Sequence, residues 1–307
     1  MAGKTYKRTE IQAFGKINFS LNITGTDERR YHILESIMQT VPICDTVEVT
    51  STLKGGTPPK NVEIPYKLPL TLTTDMRGLP CDNRNTAYKA AEAMIRRFPW
   101  ILGAHEDIRV NIKKKIPLGG GLGGSSADCA AVIKAFNNHF ALGLSDNEMI
   151  DIAAKLGSDV PFMINGGTAL IKGTGEIIEP LHQPEKLAII ICNPGFGMDT
   201  WEVYRKYDNM AISPEARPQT DHIISALSAG DRKGFVSGLK NVLEPPAFAL
   251  RGELEQFKAR LEETGAEKVL MSGSGSSFFC IFETDSLMKK ALSELTARGI
   301  DCIPFRL

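Results

Sequence analysis

The sequence predicts an α+β protein of two domains, and three observations carry that prediction. Near the N-terminus, apolar residues alternate with strand period; farther on, helix-period segments are interleaved with further strands; and the chain closes on a β-β-α-β pattern of ferredoxin-like kind. The chain's 307 residues suffice for two domains and a substantial core. The expected division is 1–168 and 169–307, because KGTGEIIEPLHQPEK, over 172–186, is rich in turn residues.

Bulk properties exclude several function classes. Thirty-six basic and 36 acidic residues cancel, so neither nucleic acid nor an anionic membrane is the expected partner. The six cysteines are scattered without a C-x-x-C, which argues for a reducing compartment and against a zinc ribbon or disulfide scaffold. The five histidines show no metal-pair spacing. No apolar run approaches the roughly 18 residues of a membrane span, and MAGKTYKRTE lacks the apolar stretch of a signal peptide. The expectation is a soluble cytoplasmic protein.

The first half reads in order. IQAFGKINFSLNI (11–23) alternates over Ile17, Phe19, Leu21 and Ile23, with Lys16 and Asn18 on the opposite face. Alone, Lys16 reads as a solvated edge charge. A polar turn, TGTDERR (24–30), leads to Tyr31, His32 and a second long strand, in which Pro42 marks a bend or bulge. His32 is on a loop rim, open to a ligand or to plain solvent. Residues 53–82, with Pro58, Pro59, Pro65, Pro69 and Pro80, predict little regular structure. In 85–98, Ala87, Ala90, Ala91, Met94 and Ile95 follow helical spacing. Ile108, Val110 and Ile112 then alternate with Arg109, Asn111 and Lys113, as in a half-exposed antiparallel strand.

The stretch KKKIPLGGGLGGSSADCAAVIKAF (113–136) is the strongest signal. Gly119, Gly120, Gly121, Gly123 and Gly124, broken only by Leu122, precede Ser125, Ser126 and an alanine-faced helix. Glycines let a backbone approach a ligand closely, and a helix opening behind them aims its N–H groups and positive dipole end at an anion. This is a phosphate site or a flexible turn. Gly119, Gly121 and Gly124 satisfy G-x-G-x-x-G, but the preceding alternating strand is wrong for a dinucleotide fold, and Asp146 stands at a helix start rather than at a strand end. Ser125-Ser126 stand where a P-loop needs Lys-Ser/Thr, and neither His-Arg-Asp nor Asp-Phe-Gly occurs. Downstream, Ser145 and Glu148 form a capping box for a helix ending at Gly157. Asp159, just before Val160-Pro161, reads by itself as a helix cap.

The second half opens with the buried strand LAIIICNP (187–194). Helices follow over MDTWEVYRKY (198–207), SPEARPQTDHIISALSAG (213–230) and 231–264. Then come a strand (268–271), the loop Ser272-Gly273-Ser274-Gly275-Ser276, a strand (277–283), a helix striped with Leu287, Met288, Ala291, Leu292 and Leu295, and a last strand (300–305).

Six segments together resemble the small-molecule kinase superfamily of galactokinase, homoserine kinase and mevalonate kinase (GHMP). Within it they are similar to the family of 4-diphosphocytidyl-2-C-methyl-D-erythritol kinases. The segments are KINFSLNITG, YHILESIMQTV, IPLGGGLGGSSADCAAVIKAFN, LGSDVPFMINGGTALIKGTGE, NPGFGMDTWEVY and GAEKVLMSGSGSSFFCIF, in the family's order over nearly the whole chain. The resemblance implies a GHMP fold, with an N-terminal β-α-β domain like a ribosomal-protein fold and a ferredoxin-like C-terminal domain. It also implies transfer of the ATP γ-phosphoryl to the 2-hydroxyl of the cytidyl substrate in non-mevalonate isoprenoid biosynthesis, with another superfamily alcohol kinase or a non-catalytic nucleotide- or sugar-binding regulator as alternatives. By motif match, Asp159 is the base and Lys16 its charge partner. Pro117, Gly119, Gly120, Gly121, Leu122, Gly123, Gly124, Ser125, Ser126, Asn85, Gly273, Ser274 and Gly275 hold ATP. Asn18, Tyr31, His32, Thr200 and Tyr204 line the substrate, with Tyr204 stacking on cytosine. Mg2+ accompanies ATP without an assigned ligand, Ser126 being the candidate. The expected assembly is a monomer or weak homodimer. The chain departs from the family in two places. Asp27-Glu28-Arg29-Arg30-Tyr31-His32 replaces an Arg-x-Asp-Gly-Tyr-His turn, and Ser125 and Ala127 replace a loop glycine and a serine.

Overall fold

The computed structural model describes residues 5–55 and 62–307; the first four residues and 56–61, which include Pro58 and Pro59, lie outside it. Its strands are β1 (Tyr6–Thr26), β2 (His32–Leu53), β3 (Leu70–Thr74), β4 (His105–Lys113), β5 (Thr168–Gly173), β6 (Ile177–Pro180), β7 (Ala188–Asn193), β8 (Lys268–Met271), β9 (Phe278–Phe282) and β10 (Asp301–Arg306). Two compact units result. The first comprises residues up to 15, 44–115 and 124–165; the second comprises 16–43, 116–123 and 166–307. Residues 168 and 169, where the sequence suggests a division, both lie in the second unit, which also takes in 16–43 and the glycine loop.

In the first unit β4 pairs antiparallel with the end of β2 (Val47 opposite Ile112, Val49 opposite Val110) and parallel with β3 (Leu72 opposite Val110). The expected alternation holds, with Ile108, Val110 and Ile112 buried. The strand is nevertheless mixed rather than purely antiparallel, because β3 supplies a parallel neighbour from the proline-rich stretch that predicted no regular structure. The bulge in β2 falls between Thr50 and Thr52, and the strand runs on through Pro42, whose side chain is exposed. The helices Thr86–Arg97 and Gly124–Phe140 pack against each other. Ala87, Ala90 and Ala91 on one and Ala127, Ala130, Ala131 and Ala135 on the other are all buried, and such small side chains let the two backbones approach closely. Ser145 and Glu148 form the expected capping box at the helix Asp146–Ala153.

In the second unit β10, β7, β9 and β8 lie side by side in that order, each pair antiparallel. That is the ferredoxin-like order, with a set of helices between β7 and β8 and the helix Asp285–Ala297 between β9 and β10. Met288, Ala291 and Leu295 of that helix are buried, whereas Leu287 is 39% exposed, so the apolar stripe is narrower than expected. Phe19 of β1 meets Phe235 and Phe279 edge-on, at 5.4 and 5.7 Å between centroids. β5 and β6 form a hairpin (Ile171 opposite Ile178) within the segment read as a break. Its turn residues join two strands rather than two domains.

Candidate active site

β1 is buried on both faces from Lys16 to Leu21, so the alternation read there does not leave Lys16 in solvent. Lys16 is 4% exposed, and an ammonium so placed requires acceptors. Its Nζ donates to Asn18 Oδ1 at 2.6 Å and to the carbonyl of Gly121 at 3.1 Å, while its backbone N–H donates to the Leu122 carbonyl at 2.9 Å. Asn18 is 1% exposed; its Nδ2 donates to Ser36 Oγ at 2.8 Å, and Ser36 Oγ donates to the Ser20 carbonyl. The residue read as substrate-lining thus spends its amide oxygen on Lys16 and its amide nitrogen on Ser36.

The two glycine-bearing loops of the second unit lock together through carbonyls. The Gly119 carbonyl accepts from the N–H groups of Met198 and Ser276, that of Gly120 from Ser277, and that of Gly121 from Ser272 Oγ as well as Lys16. Gly121 has φ +71°, and a Cβ there would stand 2.0 Å from the Ser272 carbonyl oxygen, so no other residue fits. A Cβ on Gly273 would meet Lys16 Nζ and Asn18 Oδ1 at 3.2 Å, which shows how closely the second loop backs the lysine. Gly275 also lies at positive φ, and Ser274 Oγ is 2.9 Å from Thr200 Oγ1. Loop clamping that the sequence did not reveal comes from Asn241, whose Nδ2 donates to the carbonyls of Met271 and Gly273 at 2.8 Å each, and from Asn193, whose Nδ2 donates to Ser277 Oγ at 3.0 Å. Pro117 and the 1%-exposed Leu122 complete the first loop, and Gly123 ends it at φ +70°.

Tyr31, His32 and Tyr204, read as lining the substrate, lie in this unit too. His32 Nε2 is 2.7 Å from Asp208 Oδ1, and its ring rests against Tyr204 with centroids 4.9 Å apart. Tyr31 is 62% exposed, with the Arg29 guanidinium 5.4 Å from its ring centre. The altered turn keeps a tight backbone. Arg30 sits at φ +65°, and Asp27 Oδ1 accepts from the N–H groups of Arg29 and Tyr31 at 2.9 and 2.8 Å. The Tyr31 amide, followed by the Arg29 contacts, outweighs desolvation and holds the Asp27 carboxyl below its usual range.

The first unit holds the remaining predicted residues. Gly124, Ser125 and Ser126 open the helix Gly124–Phe140, and the Ser125 carbonyl accepts from Thr86 Oγ1 at 3.0 Å. Asn85 caps the neighbouring helix, accepting from the Ala87 amide at 2.9 Å, so a structural duty occupies the residue read as flanking adenine. Asp159 is half-buried and immediately precedes the helix Val160–Asn165. A buried triad in the same unit carried no sequence signal. Lys114 Nζ donates to Asp45 and, at 2.6 Å, to Asp128, and all three side chains are nearly inaccessible. Burial pushes the Asp128 carboxyl up to about 7, with Lys114 opposing and Asp45 reinforcing the shift. Its second oxygen is buried without a hydrogen-bond partner, as suits a carboxyl that takes up a proton.

Comparison with known proteins agrees with this geometry. The family model "GHMP kinases N terminal domain" matches residues 85–167, and "GHMP kinases C terminal" matches 223–301. Proteins named 4-diphosphocytidyl-2-C-methyl-D-erythritol kinase from Bacillus cytotoxicus and Bacillus anthracis are each 33% identical over 285 residues, covering 93% of this chain and 92% of theirs. A crystal structure of 4-(cytidine 5'-diphospho)-2C-methyl-D-erythritol kinase superposes with TM-score 0.70 at 28% identity, over 96% of this chain and 98% of that one. Homoserine kinase from Cytophaga hutchinsonii shares the fold alone, with TM-score 0.65 at 18% identity over 99% and 95% of the two chains. Two family models spanning more than half of the residues, with relatives 33% identical over 93% of the chain, establish that this chain belongs to the GHMP kinases.

Proposed function

We propose that this kinase transfers the γ-phosphoryl of ATP to the 2-hydroxyl of 4-diphosphocytidyl-2-C-methyl-D-erythritol. The observation that carries the reading is Lys16, buried at 4% exposure and fixed on the Gly121 carbonyl, in a chain whose 33%-identical relatives bear that enzyme's name. Phosphoryl transfer is mainly positioning and charge stabilisation, so a fixed cation and a cradle of amides are its main requirements.

In this reading Asp159 accepts the proton of the substrate hydroxyl as the oxygen attacks the γ-phosphorus. Lys16 is its charge partner and offsets charge on the transferring group. The amides of Gly119 to Ser126, with Pro117 and Leu122 shaping the turn, hold the phosphates, and Gly273, Ser274 and Gly275 support that loop from behind. Asn85 and its helix flank the adenine, while Asn18, Tyr31, His32, Thr200 and Tyr204 orient the acceptor.

Among the described residues no group of three His, Cys, Asp or Glu is placed to hold a metal. Mg2+ accompanying ATP keeps several waters and binds through one or two protein ligands together with substrate phosphates. Ser126 is the candidate ligand, and the ion, when bound, neutralises phosphate charge. A net charge of zero supports a small-molecule partner rather than nucleic acid or an anionic membrane. No helix among the described residues is long and apolar enough to cross a membrane.

ADP release with the cytidyl substrate, measured beside mevalonate, homoserine and galactose, tests the reading. Turnover confined to the cytidyl compound is expected. Turnover of one of the others instead would reassign the acceptor, and release with none would favour a binding protein on a kinase fold.

A further inference from the structure

The helix Thr200–Asp208 ends in a way that helix physics does not explain. Its last residue is an aspartate, and a carboxylate there faces the negative end of the dipole. Arg205 and Lys206 in the same turn are the residues such an end favours. Asp208 therefore gains nothing from its own helix, and its partner lies elsewhere. Its Oδ1 stands 2.7 Å from Nε2 of His32, whose side chain is only 16% exposed.

Tyr204, Tyr207 and Asp208 are spaced i, i+3, i+4 and so share one helix face. His32 occupies that face, tilted at 44° to the Tyr204 ring and edge-on to Tyr207 with centroids 6.1 Å apart. Tyr207 is itself held, since its hydroxyl accepts from Arg217 Nη2 at 3.2 Å. The Nη1 of Arg217 donates in turn to Asn22 Oδ1 and the Ile23 carbonyl of β1. The His32 ring thus lies in a slot with fixed walls, and Asp208 settles its rotation. The neighbouring Tyr31, by contrast, presents a ring 62% exposed. At its other end the same helix meets the second loop through Thr200 and Ser274. Its nine residues span about 13 Å, the scale of a nucleoside diphosphate.

We propose that Asp208 is a positioning residue for the acceptor substrate, acting through His32 to fix the Tyr31-His32 rim that receives the cytidyl end. The role rests on the function proposed above. With His32 pinned, the backbone of the turn and the exposed Tyr31 ring are presented in one orientation, so the ordering cost is met before the base arrives. The phosphate loops are tied to other residues, and ATP binding does not depend on this contact.

Steady-state kinetics of Asp208→Ala, His32→Ala and the double variant form the test. Asp208→Ala is expected to raise KM for the cytidyl substrate about tenfold, with a smaller fall in kcat and KM for ATP within about twofold. The double variant is expected to match His32→Ala, because Asp208 has nothing left to orient. Asp208→Asn, which keeps an oxygen acceptor, is expected to recover part of the loss. Two outcomes overturn the role: an acceptor KM in Asp208→Ala equal to the parent's, or effects that multiply in the double variant. A parent protein inert toward the cytidyl substrate would instead remove the functional reading, and this role with it, so the two failures are distinct.

Discussion

The Nζ of Lys16 stands 2.6 Å from Oδ1 of Asn18, inside a strand with no solvated face at that point. The cation therefore has little freedom, and its further bond to the Gly121 carbonyl sets it against the loop read as the phosphate cradle. Lys16→Met is expected to lower kcat by about 10² or more while the protein stays folded, since a buried ammonium gives way to an apolar chain of similar length. Lys16→Arg should not restore the rate, because a planar guanidinium cannot take the place of a compact ammonium. Steady-state rates with circular dichroism as the folding control would decide, and a Met variant as active as the parent removes Lys16 from the chemistry.

Asp159 is the proposed base. Asp159→Asn should leave ATP binding nearly intact, as measured by calorimetric titration, and lower kcat by about 10² or more. Turnover at the parent rate would exclude the residue from the mechanism.

Gly121 has no room for a side chain, with Ser272 O 2.0 Å from the site of a Cβ and φ at +71°. Gly121→Ala is expected to cost at least about 2 kcal/mol in urea unfolding, combining the left-handed backbone penalty with displacement of the second loop. KM for ATP should rise in parallel. An unchanged unfolding midpoint would contradict the packing described.

Arg30 sits at φ +65°, a backbone conformation that favours glycine. Arg30→Gly relieves backbone strain of about 1–2 kcal/mol, less the greater unfolded-state entropy of glycine. A net gain of about 0.5–1 kcal/mol is expected, read as a higher urea midpoint, with acceptor KM little altered because Asp27 still bonds the Tyr31 amide. A lower midpoint would mean that the arginine side chain supports the turn.

His139 carries the clearest pH dependence. It is fully buried, with Nε2 2.8 Å from Ser51 Oγ and Nδ1 2.9 Å from Thr9 Oγ1. Burial, reinforced by Lys7 and His105, pushes it down to about 4. The folded chain thus binds fewer protons at this site than the unfolded chain, whose histidine titrates near 6.5. The stability gained by keeping the ring neutral is complete above that value and is lost as pH falls toward 4, a change on the order of 3 kcal/mol. His139→Gln should flatten the fall in Tm between pH 6.5 and 4. An equally steep fall in that variant would place the sensitivity elsewhere.

Much of the site was legible because loops and helix starts are local. Five glycines ahead of two serines and an alanine-faced helix specify a tight backbone and a close helix pair whatever surrounds them, and the Ser145–Glu148 capping box needs only three residues of separation. The β-β-α-β ending likewise named its own topology. The mixed sheet around β4 was not legible, since strand pairing depends on β3, a five-residue strand set within a proline-rich stretch. The hairpin of β5 and β6 was read as a break for the opposite reason, its turn residues being a local signal with two meanings.

The sequence by itself determined the kinase family, the position of the glycine loop and the helix that carries Tyr204. Tertiary structure alone decided that Lys16 is buried and bonded rather than solvated, that Lys114 joins Asp45 and Asp128, and that Asp208 meets His32 from 176 residues away. The physical reason is distance along the chain. Backbone conformation and capping are set by neighbouring residues, whereas the burial and partner of a charged side chain are set by whichever remote segment folds against it.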